Sequence, residues 1–101
     1  MENKKLGKVE INPSALSVIA NIAATEVEGV SKLLGKKVYS RGVELEFVDN
    51  ELIIDVYCNM KSGYGVAKTA RRIQVNVKNS IFNMTEITTK SVNVNVLGID
   101  F

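Results

Sequence analysis

The stretch VELEFVDNELIIDVYCNM, residues 43–60, restricts the fold more than any other part of the chain. Val43, Leu45 and Phe47 alternate with Glu44 and Glu46, and after Asp49-Asn50 the chain returns with Leu52, Ile54, Val56, Cys58 and Met60 set against Asp55 and Asn59. Alternation with a period of two is the signature of a strand with one wet face, and Asp-Asn between two such runs suits a tight turn. The spacing therefore predicts a hairpin over 43–48 and 52–60. Its apolar face cannot be left in water, so other segments must cover it.

Two segments have the helical period needed to do so. At Asn12-Pro13 the Asn side chain can accept an orphan backbone N–H, and Pro has no N–H to leave unpaired, which predicts a helix from Pro13 to about Glu28 closed by Gly29. Ser14, Ser17, Asn21, Thr25 and Glu28 form one narrow polar stripe on it, and the rest of its surface is apolar. Such a helix is expected to be buried on more than one side. In a chain of 101 residues, which has material for one core only, that makes it the leading candidate surface for self-association into a homo-oligomer. The second helix is predicted from Val66 to about Met84, with Val66, Ala70, Ile73, Val77, Ile81 and Met84 facing the sheet.

The remaining elements are shorter. GKVEI, ending at Ile11, and Val30 to Leu34 read as short strands, GKKVYSRG as an exposed connection, and SVNVNV as a closing strand over 91–97 with Val92, Val94 and Val96 on one face. The expected architecture is a single α+β domain over 1–101, with two helices packed on one face of a mixed sheet of four or five strands.

Few chemistries suit these residues. The chain has no histidine and one cysteine, so the commonest general base is missing and a cysteine-rich zinc site cannot form. SGYGVAKTARRIQ (62–74) places two glycines before a basic helix, but it lacks the Gly-Lys-Ser/Thr of a phosphate loop and the three spaced glycines of a dinucleotide loop. Gly63 and Gly65 are more simply read as a strand-to-helix turn. Glu44 and Glu46 lie on a wet strand face, Cys58 on an apolar one, and Glu26 is the one acid placed for partial burial. No catalytic, cofactor-binding or metal-binding residues are therefore assigned.

A positive surface is the feature left over. Lys68, Arg71, Arg72 and Lys78 fall on the side of the second helix away from its core stripe, with Val75 and Phe82 interleaved. These four cations form the candidate partner-binding face, for an acidic protein or an anionic membrane surface. Acids at 44, 46, 49, 51 and 55 cluster on the hairpin, so the basic helix of one copy has a complement on another. The net charge of only +2 is too small to argue for nucleic-acid binding by itself, so only the distribution of charge matters. The longest apolar stretch, ALSVIANIAA, is shorter than the ~20 residues a bilayer span needs. A lone cysteine and no secretory signal at the amino end point to the cytoplasm.

Taken together, GKVEINPSALSVIANIAATEVEGVSKL, LIIDVYCNM and VAKTARRIQVNVKNSIFNMTEITTKSVNVNVLGIDF resemble the alkaline shock protein family, small proteins found chiefly in Gram-positive bacteria. The most specific pieces are the run Glu26 to Val30, Ala70 with Ile73-Gln74, Asn83-Met84-Thr85 and the closing VNVNVLGIDF. The chain departs from the family in carrying Ala67 where a proline is usual and in the brevity of GKKVYSRG. The resemblance implies a non-enzymatic cytoplasmic protein without cofactors, acting through protein contacts in the cell-envelope stress response or in fatty-acid-synthesis homeostasis. Implied partners are a membrane anchor protein, which would hold the chain at the membrane periphery, or a lipid-synthesis enzyme. The IDVYC and NMT pieces look more like the cytoplasmic branch linked to acetyl-CoA carboxylase. A KH-like nucleic-acid-binding module is the alternative, weakened by the missing GXXG clamp and the few aromatic residues.

Overall fold

The computed structural model describes residues 11–35 and 41–101. Of the strand expected over GKVEI only Ile11, which is not in a strand, is among the described residues, and most of the GKKVYSRG connection lies outside them. The elements run α1 (Pro13–Thr25), β1 (Val30–Leu33), β2 (Val43–Val48), β3 (Glu51–Lys61), α2 (Val66–Thr85) and β4 (Thr89–Asp100).

β3 is the spine of the sheet. Along one edge it pairs antiparallel with β2, from Val43↔Val56 to Val48↔Glu51, and then with β1, from Val30↔Met60 to Leu33↔Cys58. Along the other edge it pairs parallel with β4, from Leu52↔Thr89 to Lys61↔Asp100. The sheet is thus mixed and four-stranded, as expected. The parallel pair follows from α2, which carries the chain back to the start of β3 before β4 begins. At the hairpin tip Asp49 (φ 52°) and Asn50 (φ 65°) both take the left-handed conformation. Successive positive φ values match the twist of a two-residue hairpin, and Asp and Asn are among the few side chains that tolerate them.

Both helices cover the same face. Leu52, Ile54, Val56, Cys58 and Met60 are all at most 1% exposed, beneath Leu16, Ala20, Ala23 and Ala24 of α1 and Ile73, Val77 and Ile81 of α2. Three of the four buried α1 residues are alanines, which lets that helix lie close to its neighbours. Side-chain amides tie α2 to both sides: Asn76 Nδ2 donates to Ala23 O (2.7 Å) and Gln74 Nε2 to Val92 O (2.9 Å).

The ends of the helices differ from the sequence reading. Asn12 Oδ1 accepts from Ser14 N at 2.8 Å, so the start is as expected, but α1 stops at Thr25 rather than Glu28. Val27 N donates to Ala24 O at 3.3 Å, a tightened turn that carries Val27 into the core at 9% exposure. Gly29 does not close the helix. Its φ of 103° turns the chain into β1, and a Cβ there would stand 3.0 Å from the Tyr64 ring and 3.1 Å from Thr69 Oγ1. On α2 the stripe that faces the core is Thr69, Ile73, Val77 and Ile81, whereas Val66 and Met84 are 45% and 69% exposed. These two have the right angle on the helix but sit in its first and last turns, beyond the packed layer.

α1 is buried on one side only. Val18 and Ile22 are 38% and 52% exposed, so its outer surface stays apolar and is not covered by the other described residues. β4 extends over twelve residues, beyond the predicted 91–97 at both ends.

The packing predicts unequal costs along α2. Ile73→Ala should lower the free energy of unfolding by about 2–5 kcal/mol, because it opens a cavity under a fully buried side chain. Val66→Ala should cost less than about 1 kcal/mol, since much of its side chain already meets water. Urea unfolding of both variants checks this, and equal losses would contradict the placement of the stripe.

Candidate functional site

The turn after α1 and the first turns of α2 enclose an open groove of about 540 Å³. One wall is Glu26, Val27 and Glu28, and the other is Lys68, Arg71, Arg72, Val75 and Asn76. Because Asn76 bonds to Ala23 while residues 68–72 stand beside residues 26–28, α1 and α2 run antiparallel here. The groove is a consequence of that crossing. Tyr64 Oη donates to Glu28 Oε2 at 3.2 Å, joining the two walls at the end where β3 leads into α2.

Of the four cations singled out in the sequence, the groove gathers Lys68, Arg71 and Arg72. Lys78 stands apart, exposed about two turns further along α2. Val75 (58% exposed) and Phe82 (51%) lie on the same outward side, so the charges are interleaved with open apolar surface. The N-cap of α2 is Gly65, which provides no side-chain cap, so the positive end of the helix dipole adds to the field of Lys68.

The acidic wall escaped the sequence reading. Glu26 was expected to be partly buried, but it is exposed, because the helix ends one residue before it and the chain turns outward. Only the antiparallel crossing brings Glu26 and Glu28 opposite cations forty or more positions away, and no local pattern signals that. The groove is consequently bipolar rather than uniformly positive.

The acids of the hairpin occupy the open face of the sheet, opposite the helices. Glu44 pairs with Asp55 and Glu46 with Ile53, so their side chains point to the side that Leu52, Ile54 and Val56 avoid. Glu51 bonds to Lys90 Nζ (3.2 Å), and Asp55 Oδ1 accepts from Asn93 Nδ2 (3.0 Å). Asp49 is in the turn. Cys58 is completely buried, and that burial raises its thiol pKa, which keeps it protonated and unreactive. Among the described residues no group of three or more Cys, Asp or Glu is placed to hold a metal ion, and no helix is long and apolar enough to cross a membrane.

The chain matches, over residues 1–101, the model of the alkaline shock protein 23 family, whose description is a cell envelope-related function. The chain belongs to that family. It is 36% identical to the uncharacterized protein YqhY of Bacillus subtilis, across 99% of this chain and 82% of that one. It is 33% identical to the uncharacterized protein Spy1535 of Streptococcus pyogenes serotype M6, across 98% of this chain and 84% of the relative. Among solved structures, a variant of the C-terminal domain of MamM superposes with a TM-score of 0.59 at 16% identity, covering 88% of this chain and all of that domain. At that identity the likeness is one of fold alone.

A second polar cluster closes the far end of the sheet. Asp100 accepts from Ser31 Oγ (2.5 Å) and from Asn59 Nδ2 (3.2 Å), which joins β1, β3 and β4 through one carboxylate. The Ser31 hydrogen bond, helped by Asn59 and by the charge of Lys32, holds the Asp100 pKa below the ordinary 3.8 against a smaller opposing effect of burial. A depressed carboxylate adds stability that is fully present above its unfolded pKa and is lost as pH falls through that value and then through the lower folded one. Asp100→Asn should therefore flatten the part of the stability profile below about pH 4 while keeping the fold. Thermal melts of both proteins across that range check it, and parallel profiles would contradict the assignment.

Proposed function

We propose that this family member is a non-enzymatic, cytoplasmic protein that works through protein–protein contacts in the cell-envelope stress response or in fatty-acid-synthesis homeostasis, engaging an acidic partner on the outward face of α2. The observation that carries the reading is the convergence of Lys68, Arg71 and Arg72 on one groove beside exposed Val75 and Phe82. Cations alone would be an ordinary solvated surface. Cations interleaved with open apolar residues have the composition of a contact surface, where apolar area supplies affinity and charge supplies orientation and speed.

The acidic wall narrows the class of partner. Glu26 and Glu28 repel a continuous sheet of phosphates, whether from nucleic acid or from an anionic bilayer, whereas a protein segment can set acids against α2 and leave the other wall to neutral or basic groups. A KH-like module gains nothing from this geometry, since the carboxylates face the place where a phosphate backbone would run. Attachment to the membrane periphery would then come through a bound anchor protein, and a lipid-synthesis enzyme is the other partner in keeping with the family.

Each exposed ion pair contributes only about 0.2–1 kcal/mol, so charge reversal is more informative than truncation. The tagged chain should retain partners from native lysate at low salt and release them as salt rises. Arg71→Glu with Arg72→Glu should lose them while its circular dichroism and melting temperature stay unchanged. Retention of every partner by the folded variant would reduce the surface to a solvated one. Equal, salt-sensitive binding of the wild type to protein-free anionic vesicles would instead assign the face to membrane.

A further inference from the structure

Among the described residues β2 and β4 each pair with β3 alone, so each leaves one side of its backbone free, and the two free edges are protected unequally. β2 is six residues long and carries Glu44 and Glu46, charges of the kind that keep an edge strand from pairing with other chains. β4 has no charged side chain from Ser91 to Ile99, and over 91–96 its register against β3 is unbroken. Its neighbour fixes which groups face outward. Tyr57 N donates to Gly42 O and Tyr57 O accepts from Leu34 N, so the adjacent Val56 and Cys58 turn their backbone groups towards β4. In the parallel ladder Val56 then bonds to Asn93 and Asn95, on either side of its partner Val94, which leaves Val92, Val94 and Val96 directed to the free edge. Gln74 Nε2, from α2, donates to Val92 O there at 2.9 Å. Both groups of Val94 and the N–H of Val96 meet no partner among the described residues. Arg71 and Lys78 stand three before and four after Gln74, so both overlook the same edge, and both are exposed.

We propose that this edge is a strand-addition site, where an extended segment of an acidic partner protein pairs antiparallel with residues 92–96 of β4 beneath Arg71 and Lys78. This rests on the reading of α2 as the contact for an acidic protein, and it adds the conformation in which that partner binds. The central residue of the segment exchanges both backbone bonds with Val94. Charge complementarity selects the occupant. Two carboxylates four positions apart on a strand lie roughly 13 Å apart on one face. Arg71 and Lys78 are separated by roughly 10 Å along the helix, a difference their long side chains take up. The residue between the two acids lies beside half-buried Val94 and is apolar, while those on the other face lie beside Asn93 and Asn95 and are uncharged. A second copy of β4 placed in the same register sets Val92 and Val96 at the positions of the acids and leaves both cations unmet. Lys78, which the groove leaves apart, is thereby part of the contact.

Hydrogen exchange at the amides of the labelled chain tests it, with an end-blocked peptide in which threonine alternates with glutamate, valine and glutamate in turn. In the free chain the Val94 amide should exchange much faster than that of Asn95, which is bonded to β3. The peptide should slow exchange at Val94 and Val96 roughly tenfold or more, and Lys78→Glu should weaken its binding roughly tenfold. The same peptide with proline in place of valine has no N–H to give Val94 O, and should leave exchange at Val94 unchanged. A Val94 amide already protected in the free, dilute chain overturns the proposal, as does equal binding of the two peptides or of the wild-type and Lys78→Glu chains. Protection that appears without peptide as the chain is concentrated makes a second copy the occupant and overturns it too. Peptide-induced shifts at residues 26–28 and 68–72 with unchanged exchange at Val94 confine the acids to the groove, so strand addition falls while the reading of α2 survives. If the peptide changes neither place, both fall.

Discussion

The structure depends on one strand. β3 is paired along both edges, by β1 and β2 on one side and β4 on the other, so its backbone is satisfied without help from any other layer. What it cannot satisfy alone is its apolar face, five alternating residues from Leu52 to Met60 that are excluded from water. Two helices on that face meet the need. The opposite face is left largely open, with Glu44, Glu46, Glu51 and Asp55 over β2 and the first half of β3.

Much of this was legible in the sequence because the deciding patterns are local. The alternation of Val43 to Met60, the Asn12-Pro13 cap and the spacing of Ile73, Val77 and Ile81 each specify an element within a few turns of chain. The helix ends were read less well. Whether Val66 and Met84 are covered, or whether Val27 leaves the helix to enter the core, depends on how far the packed layer reaches, which no window of sequence contains. The same is true of the groove. Lys68, Arg71 and Arg72 could be picked out as one helix face, whereas the facing Glu26 and Glu28 are brought there by the crossing of α1 and α2.

That crossing changes the chemical meaning of the basic face. Seen as one helix, it is a stripe of cations suited to any anion. Seen in the folded domain, it is one wall of a bipolar groove, and it is on the facing wall of carboxylates that the proposed preference for a protein partner over a phosphate polymer rests. A cell-envelope-related role, shared with the family, is then served by a domain whose distinguishing features are its surfaces.

The most direct test follows the backbone amides of a dilute, isotopically labelled chain by nuclear magnetic resonance as a peptide of interleaved acidic and apolar residues is added in excess. The account predicts that signals from residues 26–28 and 68–78, which line and flank the groove, shift together and return to their starting positions on addition of salt. Shifts confined to the outer side of α1, with none in residues 68–78, would contradict it.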